Sequence, residues 1–467
     1  MRILARNNEL LTILLFCIGI FLYGLGLSKI TENGSLSSQS FFIVGGLVFI
    51  LYHYKRFNIT DFKNLLIPII TFSIVFILGI LTYFDDVIKH SFSSVLKSAN
   101  THILKYFIFF ILCYFVAKYI KKSLAHLFLL FFAFLCLFEV FAMIFLGIKN
   151  GFLHHPLNAP FFFKAVFTYN IWILAPLAIS ITSIVVFKGK FKLISLILLS
   201  LSIAAMFANS ERSFIVAFLV MIFIPLIFWQ YKYKKIIIFL LPFIWFISIF
   251  GIYHISKDFL PRWNVAYMMD NFISVWNTKP IEMGKYDPSC FDNSLYYVDC
   301  YEESLKNGRS QIQWEHSSLS RIAMSKSTFL AFLDNPFFPK TIDVFETGYY
   351  LYKYYNNTNH QNRAYIKNLE HDVNGYNHPH NYAISLLFAY GLFGFASILV
   401  FIIYILFMMT RVIINSNNHI QKFIALFLCV FISGICTQSI FDVFYPLILQ
   451  SIFIVIGFGF GFCMRKD

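Results

Sequence analysis

The sequence predicts an all-α protein: a polytopic transmembrane helical bundle of about twelve spans, with one large, partly helical segment outside the bilayer. Three observations predict it. The 467 residues are 59% hydrophobic and only 13% charged. A soluble domain averages about 45–50% apolar and about 25% charged, so the excess apolar surface belongs against lipid. Apolar runs of about 20 residues, the length that crosses a bilayer, recur along the chain. Basic residues gather at alternate ends of those runs, the asymmetry that sets membrane orientation.

Taken in order, the apolar runs predict helices over 9–27, 39–54, 64–84, 103–120, 124–148, 165–187, 191–208, 213–231, 235–256, 381–410, 420–440 and 443–464. The first follows Arg2 and Arg6 and is not trailed by a small-residue cleavage site, so it is expected to be a retained span and not a signal peptide. One set of loop ends is rich in cations: Arg2 and Arg6; Lys55, Arg56 and Lys63; Lys118, Lys121 and Lys122; Lys188, Lys190 and Lys192; Lys232, Lys234 and Lys235; Arg411 and Lys422; Arg465 and Lys466. The opposite short ends carry only Lys29, Lys89, Lys97, Lys105, Lys149, Lys164 and Arg212. The richer set predicts the cytoplasmic side. Both termini then face the cytoplasm. The chain divides into a bundle of about nine spans (1–256), a large outer segment (257–379) and a bundle of about three spans (380–467). The net charge of +14 is explained by this loop pattern and gives no support to nucleic-acid binding.

The outer segment is rich in Asn, Tyr, Asp, Glu and Lys and too long for an ordinary connection. Within it, 317–335 reads as an amphipathic helix with Leu319, Ile322, Phe329 and Leu333 on one stripe, Ser317 or Ser318 as its cap, and Pro336 after its end. Such a helix lies on the membrane surface or on the bundle. Six cysteines fall in apolar runs and read as small hydrophobes. Cys290 and Cys300 fall in the polar segment, where an oxidising compartment allows a structural disulfide.

Several polar residues stand out against this background. Arg212 sits in the short link 207–213 between two apolar runs. An arginine near the membrane core costs about 2.5–3.5 kcal/mol on insertion scales, so it needs a partner or a task. It either pairs with Glu211 and snorkels, or it binds an anion, for which its planar fork suits phosphate oxygens. Arg321 lies in the amphipathic helix, as a solvated or headgroup contact or as a second anion ligand. His378, Pro379, His380 and Asn381 directly precede the tenth run. Imidazole titrates near pH of about 6.5, and a helix N-terminus favours its neutral, basic form. Asn381 is a ready N-cap. His371, His378 and His380 lack convincing zinc-ligand spacing with any cysteine or carboxylate. Asp85 and Asp86 read as a polar helix end, with paired metal ligands as the other reading. No phosphate-binding glycine loop, nucleophile elbow or HExxH occurs.

These residues resemble the O-antigen ligase and polymerase family of bacterial membrane glycosyltransferases, and most of all the ligases. His380 and Asn381, nine residues, then Gly391-Leu392-Phe393-Gly394 are similar to the family's His-Asn and paired-glycine signature. Asn209-Ser210-Glu211-Arg212-Ser213 is similar to its Ser-Arg element. Arg321, with Asn335-Pro336 downstream, is similar to a third. Ser325 stands where the family often has Trp, and Pro339 intervenes where glycines commonly follow. Those departures leave Arg262 or Arg309 as candidates for the part of Arg321.

The resemblance implies a multi-pass protein of the bacterial inner membrane with a periplasmic active site. It implies transfer of a polyprenyl-diphosphate-linked glycan to a sugar of lipid A–core, without cofactor or metal. His380 would be the general base, Arg212 and Arg321 would stabilise the departing diphosphate, and His378, Asn381, Arg262 or Arg309 would contact substrate. Membrane lipids are the surrounding partners. The nearest alternative is a polymerase of the same family, whose acceptor is another lipid-linked glycan. From another class, a lipid-linked glycan flippase or transporter would line a central path with charge and would not need the long outer segment. A non-enzymatic assembly scaffold is the remaining class.

Overall fold

In a computed structural model of the protein, the residues described are 2–25, 37–152, 157–161, 169, 171–211, 213–228, 316–357 and 378–465, with a few helical residues between 235 and 277. Among them there are helices and no strands. In chain order they are α1 (Arg2–Gly24), α2 (Ser38–His53), α3 (Ile59–Leu81), α4 (Phe92–Ala99), α5 (Lys105–Tyr119), α6 (Lys122–Asn150), α7 (Leu174–Val186), α8 (Lys190–Asn209) and α9 (Ser213–Phe228). These are followed by α10 (His316–Asp334), α11 (Thr347–Asn357), α12 (Tyr382–Asn415), α13 (His419–Gln438) and α14 (Pro446–Cys463). The fold class is the expected one.

Eight helical stretches among the described residues are long and apolar enough to cross a membrane. They fall where sequence periodicity put spans. Among the described residues the expected count of about twelve is not confirmed. Helices α2, α7 and α9 form where spans were expected but are shorter, and the run at 235–256 lies mostly outside the described residues. The fifth helix is preceded by α4 and a π-helical turn at Asn100–Leu104, giving one continuous stretch from Phe92 to Tyr119.

Large aromatic residues fill the bundle core, among them Phe16, Phe42, Phe109, Phe110 and Tyr114. Helix α14 lies tightly along α5. The closeness depends on glycine: a Cβ at Gly461 would collide with the backbone of Tyr114, and one at Gly457 with that of Phe110. Helix α12 packs on α3 and α13, and α13 packs on α7 and α9.

Polar contacts lock one end of the bundle. The buried Asp61 carboxylate takes the Lys118 ammonium and the Tyr119 hydroxyl, and accepts from the Asn58 N–H at 2.8 Å. Arg465 donates through Nη1 to the Ala117 carbonyl at 2.9 Å and through Nη2 to that of Ile120. A cation there complements the negative end of the α5 dipole. These are residues of the cation-rich set.

Helix α10 forms within a residue of its expected bounds and docks on α12 and α11. Its buried face differs from the expected stripe. Met324, Ser325, Thr328, Ala331 and Phe332 turn inward, Ile322 and Phe329 are half-buried, and Leu333 is 52% exposed. The partner is the surface of α12 and not a featureless apolar layer, so small and hydroxyl side chains are chosen for fit. Cys17, Cys113, Cys136, Cys429, Cys436 and Cys463 are free thiols in the helices. Cys290 and Cys300 lie outside the described residues.

Candidate active site

The start of α12 is held by hydrogen bonds from three directions. Asn381 caps it, accepting from the Ile384 N–H at 3.0 Å, as its type and position predict. The Tyr382 N–H donates to the Ser439 carbonyl at 2.7 Å, tying α12 to the loop between α13 and α14. Ser325 of α10 donates its hydroxyl to the Pro379 carbonyl at 2.9 Å. The small residue that departs from the family pattern therefore anchors the turn carrying the histidines.

That turn is strained. His380 has a φ of 49°, a left-handed conformation that a non-glycine side chain adopts only where its surroundings impose it. The result turns His380 inward to 7% exposure. Its Nδ1 lies 3.4 Å from Oδ1 of Asp442, which is itself 3% exposed. Asp442 also accepts from the Val443 N–H at 2.8 Å. The rings of His378 and His380 are 4.4 Å apart between centroids.

Electrostatics joins a fourth residue to this group. Burial pushes the His380 imidazole down to about 3, and the positive charge of Arg321 acts the same way. Burial, then the neighbouring His380, pushes His378 down to about 4, while Asp442 opposes the shift. Burial raises the Asp442 carboxyl to about 6, against the charge of Arg321 and the Val443 N–H. At neutral pH the group is therefore two neutral imidazoles, a carboxylate and a guanidinium.

The paired glycines have a structural task here. Gly391 has φ 67° and ψ −177°, which interrupts α12. The break frees backbone groups on either side of it. The Leu392 N–H donates to the Pro336 carbonyl at 2.8 Å, and the Lys340 N–H donates to the Ala389 carbonyl at 2.9 Å. The segment following α10 is thereby strapped to α12. At Gly391 a Cβ would stand 2.9 Å from the Phe337 carbonyl oxygen, and at Gly394 it would collide with the Tyr390 side chain.

Of the residues singled out in the sequence, the structure brings together His378, His380 and Arg321, with Asn381 as the adjacent cap, while Gly391 and Gly394 stand further along α12 at the strap. Arg212, Arg262, Arg309 and His371 lie outside the described residues. The flank of Arg212 is fixed: Gln438 of α13 donates to the Ser213 hydroxyl at 2.8 Å, one turn before Asp442. Asp85 is a buried structural acceptor, taking the Tyr350 hydroxyl at 2.6 Å and the Val87 N–H at 2.7 Å. Among the described residues no group of three or more His, Cys, Asp or Glu is placed to hold a metal ion. Sequence reading missed Asp442. Its signal was a lone carboxylate in an otherwise apolar stretch next to the helix-starting Pro446, a pattern that identifies a loop but names no partner.

Residues 196–399 match the family model described as O-Antigen ligase. This stretch, less than half of the chain, is similar to that family. It runs from α8 into α12 and so includes Arg212, Arg321, His378 and His380, while Asp442 lies beyond it. No curated protein matches the chain. The membrane-length helices and the matched stretch together support a multi-pass membrane protein, and the matched family supports a membrane glycosyltransferase-like enzyme.

Proposed function

We propose that this protein is an O-antigen ligase, transferring a polyprenyl-diphosphate-linked glycan to a sugar hydroxyl of lipid A–core at the periplasmic face of the bacterial inner membrane. The observation that carries the reading is the buried approach of His380 Nδ1 to Asp442 Oδ1 at 3.4 Å, within reach of the charge of Arg321. With the Asp442 carboxylate facing Nδ1 at 3.4 Å, Nε2 of His380 is the atom that takes the proton. It removes that proton from the acceptor hydroxyl as the oxygen attacks the anomeric carbon. The bond from that carbon to the diphosphate breaks as the new glycosidic bond forms, so direct attack inverts the centre. Base assistance of this kind contributes about 10²–10⁴-fold. Asp442 steadies the imidazolium that forms.

The leaving diphosphate departs with its negative charge. Arg321 supplies a guanidinium whose charge reaches the base, and the family resemblance assigns the second to Arg212, whose neighbour Ser213 is bonded to Gln438. Each charge-assisted contact contributes on the order of 1.5–3 kcal/mol. Two arginines can do the work for which a metal ion is otherwise recruited, so the reading is metal-independent. His378 and Asn381 border the acceptor side.

The test is lipopolysaccharide profiling of a deletion strain complemented with wild type or His380→Ala at equal membrane abundance. Ligation predicts loss of all polymer from lipid A–core, with long polymer accumulating on the carrier, and no rescue by His380→Ala. A single repeat still attached to the core makes the protein a polymerase. Failure of lipid-linked glycan to reach the outer face makes it a flippase.

A further inference from the structure

A groove lies at the end of the bundle opposite His380, between α6, α7, α13 and α14. It encloses about 1180 Å³, including its open mouth, and its walls include Phe132, Phe423, Phe427, Val455 and Phe458. Apart from His126 the lining side chains are apolar. From His126 down to Ala133 the groove follows α6 for about 10 Å, at a helical rise of about 1.5 Å per residue.

The mouth is positive. Lys122 and Arg465 lie close enough to His126 for their charges to act on it. Lys122 precedes His126 by one turn and so shares its face of α6. The N-terminus of this long helix adds the positive end of its dipole. Glu9 and Asp61, acids at this end, are both engaged: Glu9 accepts from the Lys121 N–H at 3.4 Å with its other oxygen facing His53 and Arg56 at 3.7 Å each, and Asp61 holds Lys118 and Tyr119. The Nε2 of His126 is buried without a hydrogen-bond partner among the described residues, and its ring packs 5.7 Å from that of Phe462.

We propose that this groove binds an anionic glycerophospholipid drawn from the bilayer. One acyl chain lies along the aromatic wall. The headgroup phosphate accepts from His126 Nε2 and rests against Lys122 and the start of α6. Both features are needed to choose this ligand. A free phosphate would leave the apolar wall unused, and a zwitterionic lipid would bring a cation to a basic mouth. The proposal does not depend on the transfer reaction, since it uses none of its residues.

Native mass spectrometry of the full-length protein in mild detergent tests it, with phosphatidylglycerol and phosphatidylcholine of equal chain length. The expected result is at least tenfold tighter binding of phosphatidylglycerol. The double variant Lys122→Ala/His126→Leu should reduce that preference to under threefold, with an unchanged lipid-free unfolding midpoint. Ala133→Phe, which fills the groove and leaves the mouth intact, should weaken phosphatidylglycerol at least tenfold. It also carries the test if the double variant fails to fold. Equal affinity of the two lipids for wild type would overturn the proposal. So would a preference untouched by the double variant, binding untouched by Ala133→Phe, or displacement of the lipid by soluble glycerol phosphate at equal concentration.

Discussion

His380 Nδ1 lies 3.4 Å from Asp442 Oδ1, joining the turn before α12 to the loop between α13 and α14. The two are far apart in sequence and both are buried. The contact gives the histidine a direction, with Nδ1 facing the carboxylate. A histidine without such a partner is free to present either tautomer.

If the pair acts as a unit, its members should not be additive. His380→Ala and Asp442→Asn should each lower transfer by about 10²–10⁴-fold. The double variant should be no slower than the slower single, because either change alone removes the oriented base. The measurement is initial rate of glycan transfer in membrane vesicles. A double variant slowed by the product of the two single factors would mean independent roles.

The pH profile carries the sign of the Asp442 shift. Its carboxyl is raised to about 6 by burial, and His380 is lowered to about 3. As pH falls through about 6, Asp442 takes a proton and can no longer steady an imidazolium. Transfer should therefore decline on the acid side with a midpoint near the Asp442 value, well above that of His380. In Asp442→Asn this limb should disappear from the remaining activity.

Arg321 lowers the Asp442 carboxyl by its charge. Removing that charge with Arg321→Gln should move the acid limb to higher pH, since the carboxyl then holds its proton more tightly. The same change should slow transfer about 10-fold or more, from loss of one charge-assisted contact of about 1.5–3 kcal/mol. Arg321→Lys keeps the charge but not the planar fork. It should restore the limb to its original position while recovering only part of the rate. Coincident pH profiles for all three proteins would place Arg321 outside the site.

The bundle was legible because lipid burial writes itself in long apolar runs, and α6, α8, α12, α13 and α14 are found within a few residues of them. The positions of His380 and Asn381 were legible because a helix N-terminus has a residue signature. Asp442 was not, because a buried acid carries no periodicity and its meaning lies in a contact across the fold. The inward face of α10 was misread for a related reason. The stripe of Leu and Phe marked hydrophobicity, while the docking surface selects Ser325 and Thr328 for a backbone carbonyl and a close fit. Ser325 illustrates the point: it reads as a departure in sequence and acts as an anchor in space.

Ser325→Ala removes one hydrogen bond and leaves the Pro379 carbonyl buried. The cost should be about 1–3 kcal/mol. Because the bond holds the turn that carries His380, transfer should fall several-fold at saturating substrate while the pH midpoint stays in place. Equal activity and equal thermal stability would remove Ser325 from the support of the site.

Gly391 offers the sharpest structural test. Its φ of 67° with ψ of −177° is a conformation essentially confined to glycine. A methyl group there would also meet the Phe337 carbonyl at 2.9 Å. Gly391→Ala should destabilise the protein by about 1–3 kcal/mol from strain alone, seen as a lower unfolding midpoint in detergent. It should also weaken the strap formed by Leu392 with Pro336 and by Lys340 with Ala389, which carries α10 and with it Arg321. Transfer should then fall although His380 and Asp442 are unaltered. Leu392→Ala is the control: its N–H remains and its side chain is 41% exposed, so stability and transfer should both stay near wild type. If the two variants behave alike, the break in α12 does not position the site.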